Sequence, residues 1–440
     1  MKLKIILLFI PYLVFLSVFV SIPRVEFSHS LLLYSVLFCL YILLFFTALR
    51  TELSIKHMMI MGLLARVVII GPPVHSDDYY RFFWDGQLIV HQINPYKYTP
   101  SELIQNGKVP NMLQPFYAHL NSQTYYSVYP LTNQLWFGTA AWVAGGDIMK
   151  FIISLRTILI IFEMWGIWLL YSILSYFQKN PIHSLLYVLN PLILIEVSGN
   201  LHFEGMMVTF MLLGIWTLVH RRYHQAGGWI GAAISVKLTP LILMPLLFKY
   251  LSQKNLLRFI IGLALICIVT FIPIILTGSF GNFHSSIQLY YGTFEFNASL
   301  YYIIREVGYF IKGYNMIAGI SIWLSVMVCI GICYMATKLN SGNFQQLISL
   351  SIIAYLVYLM FSMVVHPWYI IPLIGLGIIG GKVFPLIWSY LIYLSYYTYS
   401  TVPYQENYML LIIQYGILAV IILYEFTPHL LSDKKDFLKL

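Results

Sequence analysis

Long apolar runs, separated by short polar segments, extend over nearly the whole chain. A transmembrane helix needs about 20 mainly apolar residues to cross the hydrocarbon core of a bilayer. The runs that approach this length lie at residues 5–21, 31–49, 57–71, 151–176, 181–197, 203–219, 257–277, 316–337, 345–365, 367–380, 384–400 and 408–426. The pattern predicts an all-α polytopic membrane protein with about 12 transmembrane helices. We expect residues 1–440 to form a single integral-membrane domain.

Two further apolar segments are ambiguous. Residues 131–145 are short for a crossing, and we expect them to lie in the membrane interface or dip into it. Residues 228–248 are long enough to cross, but Pro240 interrupts them near the middle. A proline removes a backbone donor and kinks a helix, and a broken helix is tolerated at membrane depth where it is buried in protein or lines a watery cavity. The second segment is therefore predicted to enter and return, with Lys237 at its tip.

The basic residues favour one topology. With a cytoplasmic N-terminus, and with neither ambiguous segment crossing, nearly all the basic residues of the short loops lie on the cytoplasmic side, in agreement with the positive-inside rule. If both segments cross, Arg221 and Arg222 lie outside. The first topology makes residues 72–130 and 278–315 the two long external loops.

The composition supports a membrane protein. Hydrophobic residues make up 60% of the chain and charged residues 9%, whereas a soluble domain carries about 25% charged residues. The net charge of +9 could indicate nucleic-acid binding in a soluble protein, but here the basic residues follow the topology. The four cysteines lie in apolar runs and form no CxxC pair, so neither a disulfide nor a zinc site is indicated.

The polar stretch at residues 75–96 opens the first external loop. It holds Asp77, Asp78 and Asp85, in a chain with only 16 acidic residues. Acids at the end of a membrane helix are costly unless they face water, a partner or a metal. One of them could act as a general base towards an attacking hydroxyl, and Arg81 could hold an acid ionised or bind a phosphate. The alternative is a solvated loop with an interfacial aromatic belt.

Other polar residues are expected on the same side of the membrane. A lysine at the depth of Lys237 needs an anion, for which a lipid phosphate is suitable, although it could also snorkel to the interface. His202 and Glu204 join two apolar runs and could bind a ligand or simply form a turn. His366 stands at a helix end. Arg66 lies inside an apolar run and must face the helix bundle.

The order of these motifs resembles a known pattern. The motifs are Asp77-Asp78-Tyr79-Tyr80-Arg81-Phe82-Phe83-Trp84-Asp85-Gly86, Asn94-Pro95-Tyr96, Tyr129-Pro130-Leu131, Gly199-Asn200-Leu201-His202, Lys237-Leu238-Thr239-Pro240 and His366-Pro367-Trp368. They resemble the integral-membrane C-type glycosyltransferases (GT-C architecture) that use polyprenyl-phosphate sugars. The bacterial polyprenol-phosphate-mannose-dependent mannosyltransferases and the GPI mannosyltransferase catalytic subunit are most similar. The resemblance covers residues 57–380.

The resemblance implies a reaction and a set of roles. A hexose, by this resemblance mannose, would pass with inversion from a polyprenyl-phosphate donor to a glycan or glycolipid acceptor, at the external face of a bacterial cytoplasmic membrane. Asp78 or Asp77 would be the base. The donor phosphate would be bound by Lys237, Arg81, His366 and Arg66. Substrate contacts would come from Trp84, Asp85, Asn94, Tyr96, Tyr129, Asn200, His202, Glu204 and Trp368. The chain has no nucleotide-binding Gly-rich loop, which fits a lipid donor better than a nucleotide sugar.

The chain departs from the family pattern in several places. Gln92 stands where a glycine usually precedes the Asn-Pro-Tyr motif, Leu131 replaces the second proline of Tyr-Pro-Pro, and the Gly-Asn-Gly-His-Asn-Asp-like turn ends in Phe203-Glu204. The acidic loop also follows a third apolar run, whereas many relatives place it after the first. These departures bear on the sugar and the acceptor more than on the reaction class.

Three alternatives stay open at this stage. A transporter or flippase of lipid-linked sugars would favour inverted repeats around a midplane site, but the chain shows no clear internal repeat and its polar motifs cluster at one face. A non-catalytic assembly partner would tolerate substitutions in the acidic loop. Within an enzyme, Asp77 and Asp78 could bind Mg²⁺ or Mn²⁺ through oxygen, although two carboxylates do not require a metal.

Overall fold

The computed structural model describes residues 3–51, 53–71 and 73–427, except for the side chains of residues 289–292. The predicted first external loop thus begins at a position, residue 72, that lies outside the described residues. Within these ranges the chain is helical and forms no β-strand, as the apolar pattern predicts.

In chain order the α-helices are α1 (Leu3–Phe19), α2 (Phe27–Leu49), α3 (Ile55–Ile69), α4 (Asp78–Val90), α5 (Pro100–Gln105), α6 (Leu131–Ala144), α7 (Ile148–Tyr176), α8 (Leu185–Val188), α9 (Pro191–Ile193), α10 (Glu204–Val219), α11 (Tyr223–Val236), α12 (Met244–Tyr250), α13 (Gln253–Leu276), α14 (Phe280–Thr293), α15 (Leu300–Lys312), α16 (Ile317–Lys338), α17 (Phe344–Phe361), α18 (Ile371–Gly380), α19 (Phe384–Leu391) and α20 (Tyr408–Phe426). Short 3-10 segments cover Asn111–His119, Pro181–Ser184, Thr239–Leu243, Pro367–Ile370 and Ile392–Ser400, and a π-helical turn covers Leu194–Gly199.

Six of the described helices, α2, α7, α13, α16, α17 and α20, are long and apolar enough to cross a membrane. A bent pair of segments at residues 181–188 and 191–199 raises the number to seven if it forms one span. The predicted count of about 12 spans is therefore not confirmed. Several predicted runs form helices of fewer than 18 residues, such as α1 with 17 and α10 with 16, or are interrupted by proline.

The bent pair carries a carboxylate into the core. The helix axis bends by 48° between its two halves. The bend lies next to Pro191, which has no backbone N–H to continue the helix. The side chain of Asn190 accepts a hydrogen bond from the N–H of Leu192 at 3.0 Å and so caps the second half. The second half ends in the π-helical turn, where Glu196 is completely buried.

The segment predicted to enter and return is broken at Lys237. Helix α11 ends at Val236, Lys237 adopts an extended conformation (φ −147°, ψ 143°), and the chain continues through a 3-10 turn into α12. At 1.5 Å per residue, the 14 residues of α11 extend only ~21 Å, less than the ~30 Å of the hydrocarbon core. Helix α6 also has 14 residues. The expectation that neither segment crosses the membrane stays a prediction.

Helices α11 and α13 approach so closely that their backbones touch. A Cβ atom added to Gly227 would lie 1.9 Å from the carbonyl oxygen of Phe259, and one added to Gly262 would lie 1.9 Å from that of His224. Real Cβ atoms cannot approach a backbone oxygen so closely, so only glycine permits this packing. The contact fixes the helix that presents Lys237.

Substitution Gly262→Ala is expected to destabilise the protein by about 1–3 kcal/mol, because overpacking must push the two helices apart. The measurement is thermal unfolding of the detergent-purified protein. Gly331→Ala on α16 is the matched control, since nothing lies within 4 Å of its added Cβ and alanine is the better helix former. Equal melting temperatures for the two variants would contradict the packing.

Candidate active site

Asp77 and Asp78 stand where the first external loop turns into α4. Asp77 precedes the helix and is exposed, whereas the Asp78 side chain is 27% exposed. The amide of Asn121 donates a hydrogen bond to Asp78 Oδ1 at 3.1 Å. Carboxylates are favoured at the positive N-terminal end of a helix. Asp78 is therefore held in place while part of its surface is open to another molecule.

His202 lies between two carboxylates, in the link that leads into α10. Its Nε2 atom is 3.7 Å from Asp78 Oδ2, and its Nδ1 atom is 3.1 Å from Glu196 Oε2. Both are ion-pair contacts, and neither has the geometry of a well-formed hydrogen bond. Because the ring is buried, the two acids dominate its electrostatic environment.

The contacts of His202 with the two carboxylates affect the protonation states of His202 and of the aspartates in the acidic loop. Burial raises the pKa of Asp78, but the interactions with His202, and to a lesser extent with Asn121 and His366, together outweigh burial and lower the pKa to about 2. Burial lowers the pKa of His202, but the interactions with Asp78 and Glu196 outweigh it, so the pKa is raised overall. Partial burial and the charge of Asp78 raise the pKa of Asp77. The geometry thus favours an imidazolium between two ionised carboxylates.

Glu196 is the buried end of the arrangement. Tyr396 Oη donates to Glu196 Oε1 at 2.5 Å, and Asn200 Nδ2 donates to Oε2 at 3.1 Å. Asn200 Oδ1 accepts from the backbone N–H of His75 at 3.1 Å. Asn200, predicted as a substrate contact, therefore links Glu196 to the start of the acidic loop.

Trp368 and His366 form a stack of rings beside His202. The Trp368 ring centroid lies 3.7 Å from that of His202 and 4.4 Å from that of His366. Burial lowers the pKa of His366 to about 3, so this ring is neutral near pH 7. Its Nδ1 atom is buried and has no hydrogen-bond partner among the described residues. A neutral imidazole can donate or accept one hydrogen bond at such an atom, depending on its tautomer.

Lys237 lies on the same side of the site as His366. It forms an ion pair with Glu204 and is 25% exposed, whereas Glu204 is almost completely buried. Its Nζ atom lies 5.4 Å from the centroid of the Tyr369 ring. The structure therefore brings Asp78, His202 and Lys237 together with His366, although they are far apart in the sequence.

The other two predicted phosphate ligands bind protein groups. Arg66 is completely buried and donates to Glu163 Oε1 at 2.8 Å and to two backbone carbonyls. Arg81 donates to Asp85 Oδ1 at 2.8 Å and to the loop at residues 122–125. Both guanidinium groups are thus engaged by carboxylate and carbonyl oxygens of the protein, which favours a structural role over phosphate binding.

The predicted substrate contacts Trp84 and Asp85 point into the protein. Both are completely buried, as are the neighbouring rings of Phe82 and Phe83. Asp85 Oδ2 accepts from Ser127 Oγ at 2.5 Å and from an amide of α6 at 2.9 Å. These side chains hold α4 against the rest of the fold, while Tyr79 and Tyr80 stay half-buried.

Hydrogen bonds within the first external loop also engage Asn94, Tyr96 and Tyr129. Asn94 Oδ1 accepts from the N–H of Tyr96 at 2.9 Å, and Tyr96 Oη donates to the carbonyl of Tyr129 at 2.7 Å. Asn94 Nδ2 donates to Ser279 Oγ at 3.4 Å, at the start of the second external loop. The contacts close the first loop on itself and join it to the second.

The second predicted external loop reaches His366 through a short bridge. The N–H of Phe296 donates to the carbonyl of Met363 at 3.0 Å, and the N–H of Val365 donates to the carbonyl of Phe296 at 2.9 Å. The Phe296 ring centroid lies 4.9 Å from that of His366. We call this pairing of residues 296–297 with 363–365 the His366 bridge.

Asn297 fastens the His366 bridge. It has a left-handed φ of 48°, which is uncommon for a residue other than glycine. Its Nδ2 atom donates to the carbonyl of Val365 at 3.2 Å, its N–H donates to Glu406 Oε1 at 2.5 Å, and Tyr415 Oη donates to its carbonyl at 2.6 Å. Tyr302 of α15 donates to the other oxygen of Glu406.

Four residues of the site were not predicted from the sequence, namely Glu196, Tyr396, Asn121 and Arg24. Glu196 gave a usable signal, because a lone carboxylate within an apolar run is unfavourable unless it has a partner. Arg24 lies over the rings of Tyr396 and Tyr399, at 4.6 and 4.8 Å from their centroids. Asn121 and Tyr396 lie in segments whose sequence gave no such signal.

No group of three or more His, Cys, Asp and Glu side chains in the described part of the chain is arranged to hold a metal ion. Asp78 already contacts His202 and Asn121. The possible Mg²⁺ or Mn²⁺ site at Asp77 and Asp78 stays a prediction.

Comparison with known proteins gave one family and two relatives. The family model described as "Alpha-(1->6)-mannopyranosyltransferase, N-terminal domain" matches residues 25–252. The chain is 23% identical over 339 residues to alpha-(1->6)-mannopyranosyltransferase A of Corynebacterium glutamicum, a match that covers 70% of this chain and 68% of the relative. It is 25% identical over 267 residues to GPI mannosyltransferase 1 of Debaryomyces hansenii, covering 58% of this chain and 59% of the relative.

Substitution Asp85→Ala is expected to destabilise the protein by about 3–5 kcal/mol, because Arg81 would become a buried charge without its partner. Thermal unfolding in detergent measures the effect. Asp147→Ala, which removes an exposed helix cap, should cost only about 0.5–2 kcal/mol. The double variant Arg81→Met/Asp85→Leu should recover most of the loss, and a double variant no more stable than Asp85→Ala would contradict a structural pair.

Proposed function

We propose that this chain, which belongs to the alpha-(1->6)-mannopyranosyltransferase family, transfers a mannosyl residue from a polyprenyl-phosphate donor to a glycan or glycolipid acceptor. Membership of the family makes the chain a glycosyltransferase, and its apolar helices make it a multi-pass membrane protein. The reaction would take place at the external face of a bacterial cytoplasmic membrane. The convergence of Asp78, His202, His366 and Lys237 carries this proposal.

Asp78 is the proposed general base. It is ionised at every working pH, it is partly exposed, and Asn121 orients one of its oxygens. A low pKa makes Asp78 a weak base towards a free alcohol. The hydroxyl of the acceptor becomes acidic only as its oxygen bonds to the anomeric carbon, so the proton transfers late. Asp77, which is more exposed and has a raised pKa, is the alternative base.

The transfer is a single displacement at the anomeric carbon. The acceptor oxygen attacks from the face opposite the phosphate and gives its proton to the carboxylate. The bond between the anomeric carbon and the phosphate oxygen breaks, and polyprenyl phosphate leaves with the electron pair. The configuration at the anomeric carbon is thereby inverted.

Lys237 and His366 are the proposed partners of the leaving phosphate. Negative charge develops on that phosphate in the transition state, and a cation positioned in advance stabilises it. Lys237 is held by Glu204 yet remains 25% exposed, and His366 has a nitrogen without a hydrogen-bond partner. Arg66 and Arg81 would support the site from behind through their carboxylate partners.

Substitution Asp78→Asn is expected to reduce transfer by about 10²–10⁴-fold, the usual contribution of a general base. Asp77→Asn should have a smaller effect. The measurement is turnover of polyprenyl-phosphate-mannose by the purified protein with a glycan acceptor, together with the melting temperature of each variant. Full activity of both single variants and of the double variant would exclude a catalytic role for either aspartate.

Substitution His202→Gln is expected to move the acid limb of the pH–rate profile upwards. Ionised Asp78 is required, and the interaction with His202 is the largest of those that oppose burial and lower its pKa. Without the imidazolium, burial raises this pKa, so activity should decline at a higher pH than in the unmodified protein. The exposed His284 on α14 provides the control His284→Gln. An unchanged acid limb in the His202 variant would show that the ring does not control Asp78.

A further inference from the structure

Helix α15, in the second predicted external loop, has two opposite faces. Its buried face includes Tyr301, Tyr302 and Arg305 and packs against α16 and the segment before His366. The opposite face forms an apolar stripe of Ile303, Val307, Phe310 and Ile311. These positions follow the spacing i, i+4, i+7 and i+8, which places them on one side of a helix.

The apolar stripe is unusually exposed. Phe310 is 93% exposed, Ile311 67% and Ile303 65%. An exposed apolar face of this size marks a surface that another apolar phase covers. The 13 residues of α15 extend only ~20 Å, too short to cross the ~30 Å core of a bilayer. The helix can therefore touch lipid only along its side.

The chain passes from α15 directly into a candidate membrane span. Four residues separate the end of α15 from the start of α16, which is one of the six candidate membrane spans. Large apolar side chains near its start, such as Ile322 and Trp323, are also mostly exposed. The polar residue Lys312 lies away from the stripe on the helical wheel, as expected for a helix at a membrane interface.

The buried face of α15 connects to the active site. Tyr302 donates to Glu406, and Glu406 accepts the N–H of Asn297 in the His366 bridge. Arg305 pairs with Glu295, just before the bridge, at 2.5 Å. A displacement of α15 would therefore shift the backbone segment that carries His366.

We infer that α15 lies along the outer leaflet of the bilayer with its apolar stripe in the hydrocarbon, and that this contact keeps the His366 bridge in place. Lipid is the proposed occupant because α15 leads directly into α16, a candidate membrane span whose apolar side chains are themselves exposed. The inference goes beyond the proposed function, since neither the membrane contact nor its link to the bridge depends on which reaction the site performs.

Spin labels test the membrane contact. Single cysteines at Phe310, at Ile303 and at the exposed Lys97 are introduced into a background in which Cys39, Cys267, Cys329 and Cys333 are alanine. In nanodiscs, labels at Phe310 and Ile303 should be accessible to oxygen and shielded from a nickel chelate, at similar depths, while the label at Lys97 should show the reverse. Access of the chelate to position 310, or shielding of that position from both reagents by a protein partner, would overturn the inference.

Hydrogen exchange tests the link to the bridge. Phe310→Asp places a charge in the proposed hydrocarbon, so α15 should lift and amide exchange at residues 296–298 and 363–366 should become about tenfold faster or more. The matched control Lys97→Asp should leave these amides unchanged. Because Phe310 is 93% exposed, its substitution removes no core packing. Unchanged exchange in the Phe310 variant would overturn the link, and neither readout requires transferase activity.

Discussion

An imidazole held between two carboxylates is favoured in its protonated form and keeps both acids ionised. His202 occupies this position between Asp78 and Glu196, and the other parts of the site are arranged around it. Asp78 is partly exposed, whereas Glu196 is completely buried and accepts a hydrogen bond from Tyr396. The Trp368 ring covers a face of His202 and also stacks on the ring of His366. A change in the charge of His202 would therefore alter the electrostatic environment of both Asp78 and Glu196.

A membrane protein can hold such a group only if its other buried charges are paired, because an isolated ion away from water is very costly. The described residues meet this requirement by contacts between separate helices. Arg66 of α3 pairs with Glu163 of α7, and Lys237 at the end of α11 pairs with Glu204 of α10. These pairs give little net stability. Each of them joins two separate helices.

Much of the site could be predicted from the sequence, because polar residues are conspicuous in an apolar chain. Asp78, His202, Lys237 and His366 were predicted and lie together. The sequence does not show which cations already have partners, so it cannot reveal that Arg66 and Arg81, both expected at the phosphate, contact carboxylates of the protein. The i, i+4 spacing of Arg81 and Asp85 could have indicated a local pair. For the fold, the helices lie where the apolar runs predict them. The number of helices long enough to cross a membrane does not follow from the runs, because proline breaks and early helix ends shorten many of them. Contacts between distant loops, such as the His366 bridge, leave no local pattern.

Comparing donors in proteoliposomes tests the central claim most directly. Purified protein is given radiolabelled mannose either on a polyprenyl phosphate or on a guanosine diphosphate, with an alkyl mannoside as the acceptor. A site that contains an ionised Asp78, a free His366 nitrogen and a partly exposed Lys237, with no nucleotide-binding loop, should transfer label from the lipid donor alone and release polyprenyl phosphate. Transfer from the nucleotide sugar, or none from the lipid donor by folded protein across a panel of glycan and glycolipid acceptors, would contradict it.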